Sequence, residues 1–161
     1  MRQFDHPYMQ RVLELGAPSS QDIIITHGSA LVVYGVRPEN PGGDIDLVTT
    51  RENIDYFRRV LGWEVLRRST GYDEAGLPKT VTRTLSPDGE FDTYSHDYIA
   101  KWFRETGRGR IYPPELKDFS EQDEATGLWV AKPGLARLTK EESKRPNDIE
   151  DIRLIDECLA A

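Results

Sequence analysis

The sequence predicts an α/β (α+β) protein with a mixed β-sheet flanked by helices, and three stretches carry that prediction. Residues 23–25 form a short apolar β-branched run, which is typical of a strand buried on both faces. Residues 44–48 alternate between polar and apolar side chains, as a half-buried strand does. Two runs at 80–85 and 90–95 flank the Pro-Asp-Gly sequence at 87–89, which predicts a β-hairpin.

Helices are predicted between these strands. The first covers 6–15, because its apolar residues recur at helical spacing and a Gly and a Pro follow it. A turn at 27–29 leads into a short helix over 30–34, and a loop rich in Pro and Gly follows at 37–43. The next helix covers 51–61 and has one apolar face.

The remaining elements complete an alternation of strands and helices. The segment 97–126 combines aromatic residues typical of a helix with a Gly-Arg-Gly-Arg run and two consecutive prolines that interrupt it. The other predicted elements are a strand at 63–66, a strand at 128–130, a helix over 133–140 and a helix over 146–159, both helices opened by a proline.

The chain has 161 residues and a mass of 18.4 kDa, which is the usual size of one domain. We therefore expect a single domain over 1–161. The sheet and most helices are assigned to 1–126, and a C-terminal helical element is assigned to 127–161.

Charge and cysteine content narrow the function classes. A net charge of −7 and a pI of about 5.0 argue against a protein that coats nucleic acid through a basic surface. A local basic patch is still allowed: Arg104, the run at 107–110 and Lys117 form the best candidate, with a solvated loop as the alternative. Cys158 is the only cysteine, which excludes an intrachain disulfide and argues against a cysteine zinc site.

The sequence also predicts the compartment. No run of 18 apolar residues occurs, so we expect no membrane span and no membrane partner. The N-terminal residues carry charges throughout, unlike a signal peptide. A cytoplasmic protein is therefore expected.

The most informative residues are the Gly28-Ser29 pair and, one loop later, Asp44 and Asp46. Two aspartates at i and i+2 on a strand point to the same face, close enough to share hard divalent cations. A Gly-Ser turn before a helix offers backbone N–H groups to phosphate oxygens. Each feature alone has an ordinary explanation, a solvated strand face or a helix cap. Together they predict half of a two-metal phosphoryl-transfer site.

The segment HGSALVVYGVRPENPGGDIDLVTT resembles the signature of the DNA polymerase β-like nucleotidyltransferase superfamily. In that signature an apolar strand, a Gly-Ser pair and a helix precede an Asp-x-Asp flanked by apolar residues. The finer pattern is most similar to the nucleotidyltransferase toxins of AbiE-type (type IV) toxin–antitoxin systems. The matching positions are Gly28, Ser29, Ala30, Leu31, Gly35, Arg37, Asp44 and Asp46.

The C-terminal segment from 130 to 155 resembles the helical end of the same toxins more loosely. Lys140 stands where those toxins have a triphosphate-contacting lysine. Arg145, Asp148 and Asp151 match a later element of theirs, although Asn147 replaces its lysine. The resemblance thus implies that Arg37, Lys140 and Asp151 bind the nucleotide together with Gly28 and Ser29.

The superfamily usually adds a third carboxylate from a neighbouring strand. Asp92 is the candidate here, because its strand is flanked by apolar residues, and Glu90 is the competing choice on the same face. An exposed acidic residue beyond the hairpin turn is the alternative to both. The resemblance implies that Asp44, Asp46 and Asp92 hold Mg²⁺, with Mn²⁺ as the alternative ion, and are the catalytic residues.

The implied reaction is Mg²⁺-dependent transfer of a nucleoside monophosphate from an NTP to an acceptor hydroxyl. For the toxin of a toxin–antitoxin or phage-defence system, the acceptor would be tRNA or a protein side chain, and a cognate antitoxin would be a partner. A second reading is an antibiotic nucleotidyltransferase that acts on a lincosamide or an aminoglycoside. A third is a catalytically inactive nucleotidyltransferase-like binding or antitoxin module, against which the intact Asp-x-Asp argues.

Overall fold

The computed structural model describes residues 2–38, 43–72, 78–95, 116–140 and 145–161. It is a mixed α/β fold in which helices flank one mixed sheet, as the sequence predicts. The described helices are α1 (Pro7–Leu13), α2 (His27–Val33), α3 (Arg51–Arg59), α4 (Pro133–Lys140) and α5 (Pro146–Ala160). The described strands are β1 (Ile24–Ile25), β2 (Ile45–Val48), β3 (Glu64–Tyr72), β4 (Pro78–Leu85), β5 (Phe91–Tyr94), β6 (Ser120–Gln122) and β7 (Trp129–Ala131).

The seven strands are ordered β3-β4-β5-β2-β1-β7-β6. Parallel pairing joins β2 to β5 and β1 to β7, and the other four pairs are antiparallel. The centre of the sheet is apolar, because both residues of β1 and three of the four residues of β2 are buried. Strand β2 therefore holds its one polar side chain, Asp46, against a rigid, solvent-excluded framework.

Aromatic side chains anchor α3 to this framework. Trp63 stacks between Phe57 of α3 and Phe91 of β5, with ring centroids 4.4 and 5.4 Å away. The Tyr56 hydroxyl also donates to the carbonyl of Leu15, which follows α1. These contacts fix α3 and the start of β5 relative to each other.

Helix α2 begins earlier than predicted. The sequence places a turn at 27–29 and a helix from Ala30, but the helix starts at His27, so that Gly28 and Ser29 lie in its first turn. All residues from 28 to 33 are buried, because α2 packs against β2, β7 and α4. A helix enclosed on all sides lacks the polar face from which its boundaries could be predicted.

Two strand predictions also differ from the structure. Strand β3 was predicted at 63–66 and extends through Tyr72, because its polar second half pairs with β4 at the edge of the sheet. Strand β6 lies within 97–126, where no strand was predicted, and contains three polar residues. The predicted helix around 98–103 lies outside the described residues.

The predicted boundary at residue 126 falls in the turn between β6 and β7, which pair in an antiparallel hairpin. The segment from 127 onward thus contributes β7 to the same sheet before its two helices begin. Among the described helices, none has both the length and the apolar character needed to cross a membrane.

Candidate metal centre

Three carboxylates meet where β2 and β5 lie side by side. Asp46 on β2 is the register partner of Asp92 on β5, and parallel partners project from the same face of a sheet. Asp44 lies two residues before Asp46 and therefore shares that face. One carboxylate oxygen of each residue lies within 4.8 Å of the other two, so that all three could hold one metal ion. We call Asp44, Asp46 and Asp92 the carboxylate cluster.

Ser29 fixes the strand that carries two of these carboxylates. Its hydroxyl accepts a hydrogen bond from the Asp46 N–H at 2.9 Å and donates to the Asp44 carbonyl at 3.1 Å. The Thr26 N–H also donates to the Asp46 carbonyl at 2.9 Å. Because Ser29 is fully buried, these bonds lock the Asp-x-Asp backbone against the first turn of α2.

The electrostatics of the cluster favour a cation. Burial raises the pKa of Asp46 to about 7, and the carboxyl groups of Asp44 and Asp92 shift it in the same direction, against an opposing effect of His27. A hydrogen bond between the Asp44 and Asp46 carboxyl groups contributes as well, because one of them must keep a proton to donate. A divalent cation would replace that proton and relieve the repulsion. The all-oxygen donor set fits Mg²⁺ or Mn²⁺.

Asp92 already has a cationic partner. Arg83 on β4 donates to both Asp92 oxygens, at 3.1 and 2.7 Å. Asp92 is buried, whereas the Arg83 side chain is about one-third exposed. The pair raises the pKa of the Arg83 guanidinium further above its ordinary value. Arg83 therefore offsets part of the negative charge of the cluster and competes with a cation for Asp92.

Arg83 was missed in the sequence, although the hairpin prediction contains the signal. In an antiparallel hairpin closed at Pro87-Asp88-Gly89, Leu85 pairs with Asp92 and Arg83 pairs with Tyr94. Residues two apart on a strand share a face, so Arg83 lies diagonally across from Asp92. A long arginine side chain can span that diagonal.

The structure separates the two candidates for the third carboxylate. Asp92 joins the cluster, whereas Glu90 precedes β5 and forms an ion pair with Arg11 of α1. Glu90 is tied to another helix, so Asp92 is the residue whose carboxylate faces Asp44 and Asp46.

The predicted nucleotide-binding residues of the C-terminal part also come together. Arg37 pairs with Asp151 at 2.5 Å, while Lys140 pairs with Asp151 at 3.1 Å and with Asp148 at 2.7 Å. All four side chains are at least 85% buried. We call Arg37, Lys140, Asp148 and Asp151 the C-terminal ion-pair network. It ties the segment after α2 to both α4 and α5.

Gly28 and His27 shape the start of α2. Gly28 is buried in the first turn, and His27 has a φ of 53°, in the left-handed region. That conformation costs a residue with a side chain about 1 kcal/mol. His27 is also the residue whose charge opposes the rise in the pKa of Asp46. The chain therefore keeps His27 beside Asp46 in an unfavourable backbone conformation.

The predicted basic patch is only partly described. Arg104 and the run at 107–110 lie outside the described residues. Lys117 pairs with Asp22 at 2.8 Å and lies over the Trp129 ring.

Comparisons with known proteins add no relative to this geometry. No family model, no curated protein and no solved structure matches the chain.

Proposed function

We propose that the protein is a Mg²⁺-dependent nucleotidyltransferase, which moves a nucleoside monophosphate from an NTP to an acceptor hydroxyl. The observation that carries the proposal is the carboxylate cluster, in which two neighbouring parallel strands bring three acidic side chains within reach of one cation. The raised pKa of Asp46 supports it, because a group that resists ionisation in the free protein gains from a bound cation.

In this proposal Asp44 and Asp46 hold the cation, and Asp92 completes the ligand set or accepts the proton of the acceptor hydroxyl. The cation would supply positive charge at the phosphates and favour ionisation of the acceptor hydroxyl. The acceptor oxygen forms a bond to the α-phosphorus, the bond between the α-phosphorus and the bridging oxygen breaks, and pyrophosphate leaves with the electron pair.

The nucleotide-binding residues of the proposal are Gly28, Ser29, Arg37, Lys140 and Asp151. The Ser29 hydroxyl already bonds to the backbone of β2, so its part is to position Asp44 and Asp46, while nearby backbone N–H groups meet the phosphates. Arg37 and Lys140 both pair with Asp151, so phosphate contact requires each of them to share its charge between Asp151 and the ligand.

A transfer assay tests the proposal. The protein is incubated with each α-labelled NTP and Mg²⁺, in the presence of tRNA, a protein lysate fraction, or a panel of aminoglycosides and lincosamides. We expect label on one acceptor class, which would separate a toxin from an antibiotic-modifying enzyme. Growth arrest on expression, relieved by a cognate antitoxin, would accompany the toxin outcome.

The decisive variant is Asp46→Asn, with Asp44→Asn as its companion. Each should reduce transfer by a factor on the order of 10³, because the cation loses a ligand. Without metal, the melting temperature should stay unchanged or rise, since repulsion within the cluster falls. The matched control is Asp118→Asn, which changes an exposed aspartate and should leave transfer intact.

Two results would contradict the proposal. One is the absence of transfer to every acceptor together with no binding of Mg-NTP by calorimetry, which would favour an inactive binding or antitoxin module. The other is a large loss of stability in Asp46→Asn, which would give the cluster a structural role.

A further inference from the structure

A cavity of about 300 Å³ lies between α3 and the β3–β4 hairpin. Helix α3 lines it with Arg51, Arg58 and Arg59, and the sheet lines it with Arg68, Thr82 and Ser95. We call this cavity the arginine pocket. It holds four of the chain's arginines in a protein whose net charge is −7.

The arginine pocket opens on the opposite side of the sheet from the carboxylate cluster. Thr82 and Arg83 are neighbours on β4, so their side chains project from opposite faces. Arg83 reaches the Asp92 carboxylate, whereas Thr82 lines the pocket together with Arg68, its register partner on β3. The pocket is therefore a separate site and not an extension of the metal centre.

The positive charge in the pocket is largely uncompensated. Among the described residues, Asp55 is the one acidic residue that lines it, and it contacts Arg58 at 3.5 Å. Across the described ranges, no carboxylate forms an ion pair with Arg51, Arg59 or Arg68. Five other described arginines have carboxylate partners: Arg11, Arg37, Arg83, Arg137 and Arg153.

Helix stability accounts for two of these arginines and not for the others. Arg58 and Arg59 lie in the last turn of α3, where a cation interacts favourably with the helix dipole. Arg51 is the first residue of the same helix, where a cation is unfavourable. Arg68 lies on an edge strand beside another arginine, Arg67. The positions of Arg51 and Arg68 are therefore unfavourable for local stability, which is common for residues that bind a ligand.

We propose that the arginine pocket binds phosphate groups, presented by a free nucleotide or by an RNA backbone. Guanidinium groups form paired hydrogen bonds to phosphate oxygens, and hydroxyls such as that of Thr82 complete such sites. Four arginines against one aspartate leave three positive charges, which a phosphate dianion or successive backbone phosphates offset better than a single carboxylate. The inference goes beyond the proposed transfer reaction and does not depend on it.

Direct binding to the full chain tests the proposal, with EDTA present so that the metal centre does not contribute. One arm measures anisotropy of a fluorescently labelled single-stranded 12-nucleotide RNA, and the other measures AMP and inorganic phosphate by calorimetry. We expect the double variant R51Q/R68Q to weaken binding at least tenfold at low salt. For RNA, the slope of log affinity against log salt should fall in magnitude by about 1.4, because two contacts to phosphates of a single strand are lost.

Matched variants give the test its controls. R153Q removes one positive charge, half of what R51Q/R68Q removes, from an exposed surface of α5 and should weaken binding less than twofold. R68K keeps the charge without the paired donors and should fall between the wild type and R68Q. Equal melting temperatures would exclude a folding defect.

The outcomes separate the two sources of phosphate. Tighter binding of the RNA than of AMP assigns the pocket to nucleic acid, and equally tight binding of AMP assigns it to a free nucleotide. No binding of any probe, or an equal loss in R153Q and R51Q/R68Q, would overturn the proposal. D46N should retain phosphate binding, so failure of the transfer reaction leaves this result intact.

Discussion

The carboxylate cluster and the C-terminal ion-pair network are both built from partly or fully buried charged residues, but their charges balance differently. The network sets two cations against two carboxylates, and each charge has a partner at 3.1 Å or less. The cluster sets three carboxylates against Arg83, which bonds to Asp92, and against His27, whose charge acts on Asp46. Buried charges that neutralise each other can be held in the folded protein without a ligand. Carboxyl groups that repel one another, as Asp44 and Asp92 repel Asp46, lower the stability of the folded protein, and a bound cation would restore it.

The test with the largest expected effect removes one charge from the C-terminal ion-pair network. Asp151→Asn leaves Arg37 and part of the charge of Lys140 buried without a counter-ion, so the free energy of unfolding should fall by about 3 kcal/mol. Urea denaturation of the metal-free protein measures it.

The control for that experiment lies on the same helix. Asp156 pairs with Arg137 at an exposed position, and Asp156→Asn should produce no measurable change. Equal stability of the two variants would mean that the network contributes nothing to folding, and nucleotide binding would be the one role proposed for its residues.

The second test measures how the stability contributed by the carboxylate cluster depends on pH. The folded pKa of Asp46 is raised to about 7 from 3.8, so between these values the folded state binds more protons than the unfolded state. Stability from this residue is therefore present at pH 4, falls as pH rises and stays low above pH 7. Because Asp46 is only partly buried, we expect a loss of about 1–2 kcal/mol.

The variant Asp46→Asn isolates that loss. The difference in unfolding free energy between the variant and the wild type should grow from pH 4 to pH 8 without metal. Addition of Mg²⁺ at pH 8 should stabilise the wild type and reverse the difference. A difference that stays constant with pH would mean that the pKa of Asp46 is not raised in the folded protein.

The smallest expected effect concerns Arg83, which bonds to Asp92 of the cluster. Arg83→Gln frees both oxygens of Asp92, so Mg²⁺ alone should bind about threefold more tightly in a calorimetric titration. Arg67→Gln changes the register partner of Arg83 and should leave the affinity unchanged. Weaker binding in Arg83→Gln would mean that Arg83 holds Asp92 in place for the metal.

The sequence predicts those parts of the site that depend on local geometry. Alternation along β2 places Asp44 and Asp46 on one face, and the hairpin turn at 87–89 leads the chain into the strand that carries Asp92. The predicted hairpin at 80–85 and 90–95 matches β4 and β5 closely for the same reason, since turn chemistry and strand alternation act over a few residues.

The parts that sequence reasoning missed depend on packing between distant segments. The pairing of Arg37 with Asp151 requires α5 to dock beside α2, which no local pattern encodes. The bonds of Ser29 to β2 require α2 to start at His27, and a buried helix gives no polar face to mark that start. The arginine pocket requires α3 to lie across the β3–β4 hairpin.

The parallel pairing of β2 with β5 also determines when the metal centre can exist. Parallel neighbours cannot be joined by a tight turn, so α3 and the β3–β4 hairpin lie between them in the chain. Asp46 meets Asp92 only after this long loop has closed. We expect this contact to form late in folding, because closing a long loop costs chain entropy. A cation would therefore bind only to chains in which β2 and β5 have paired. The rate of cation binding in a refolding experiment would then report the rate at which the central sheet forms.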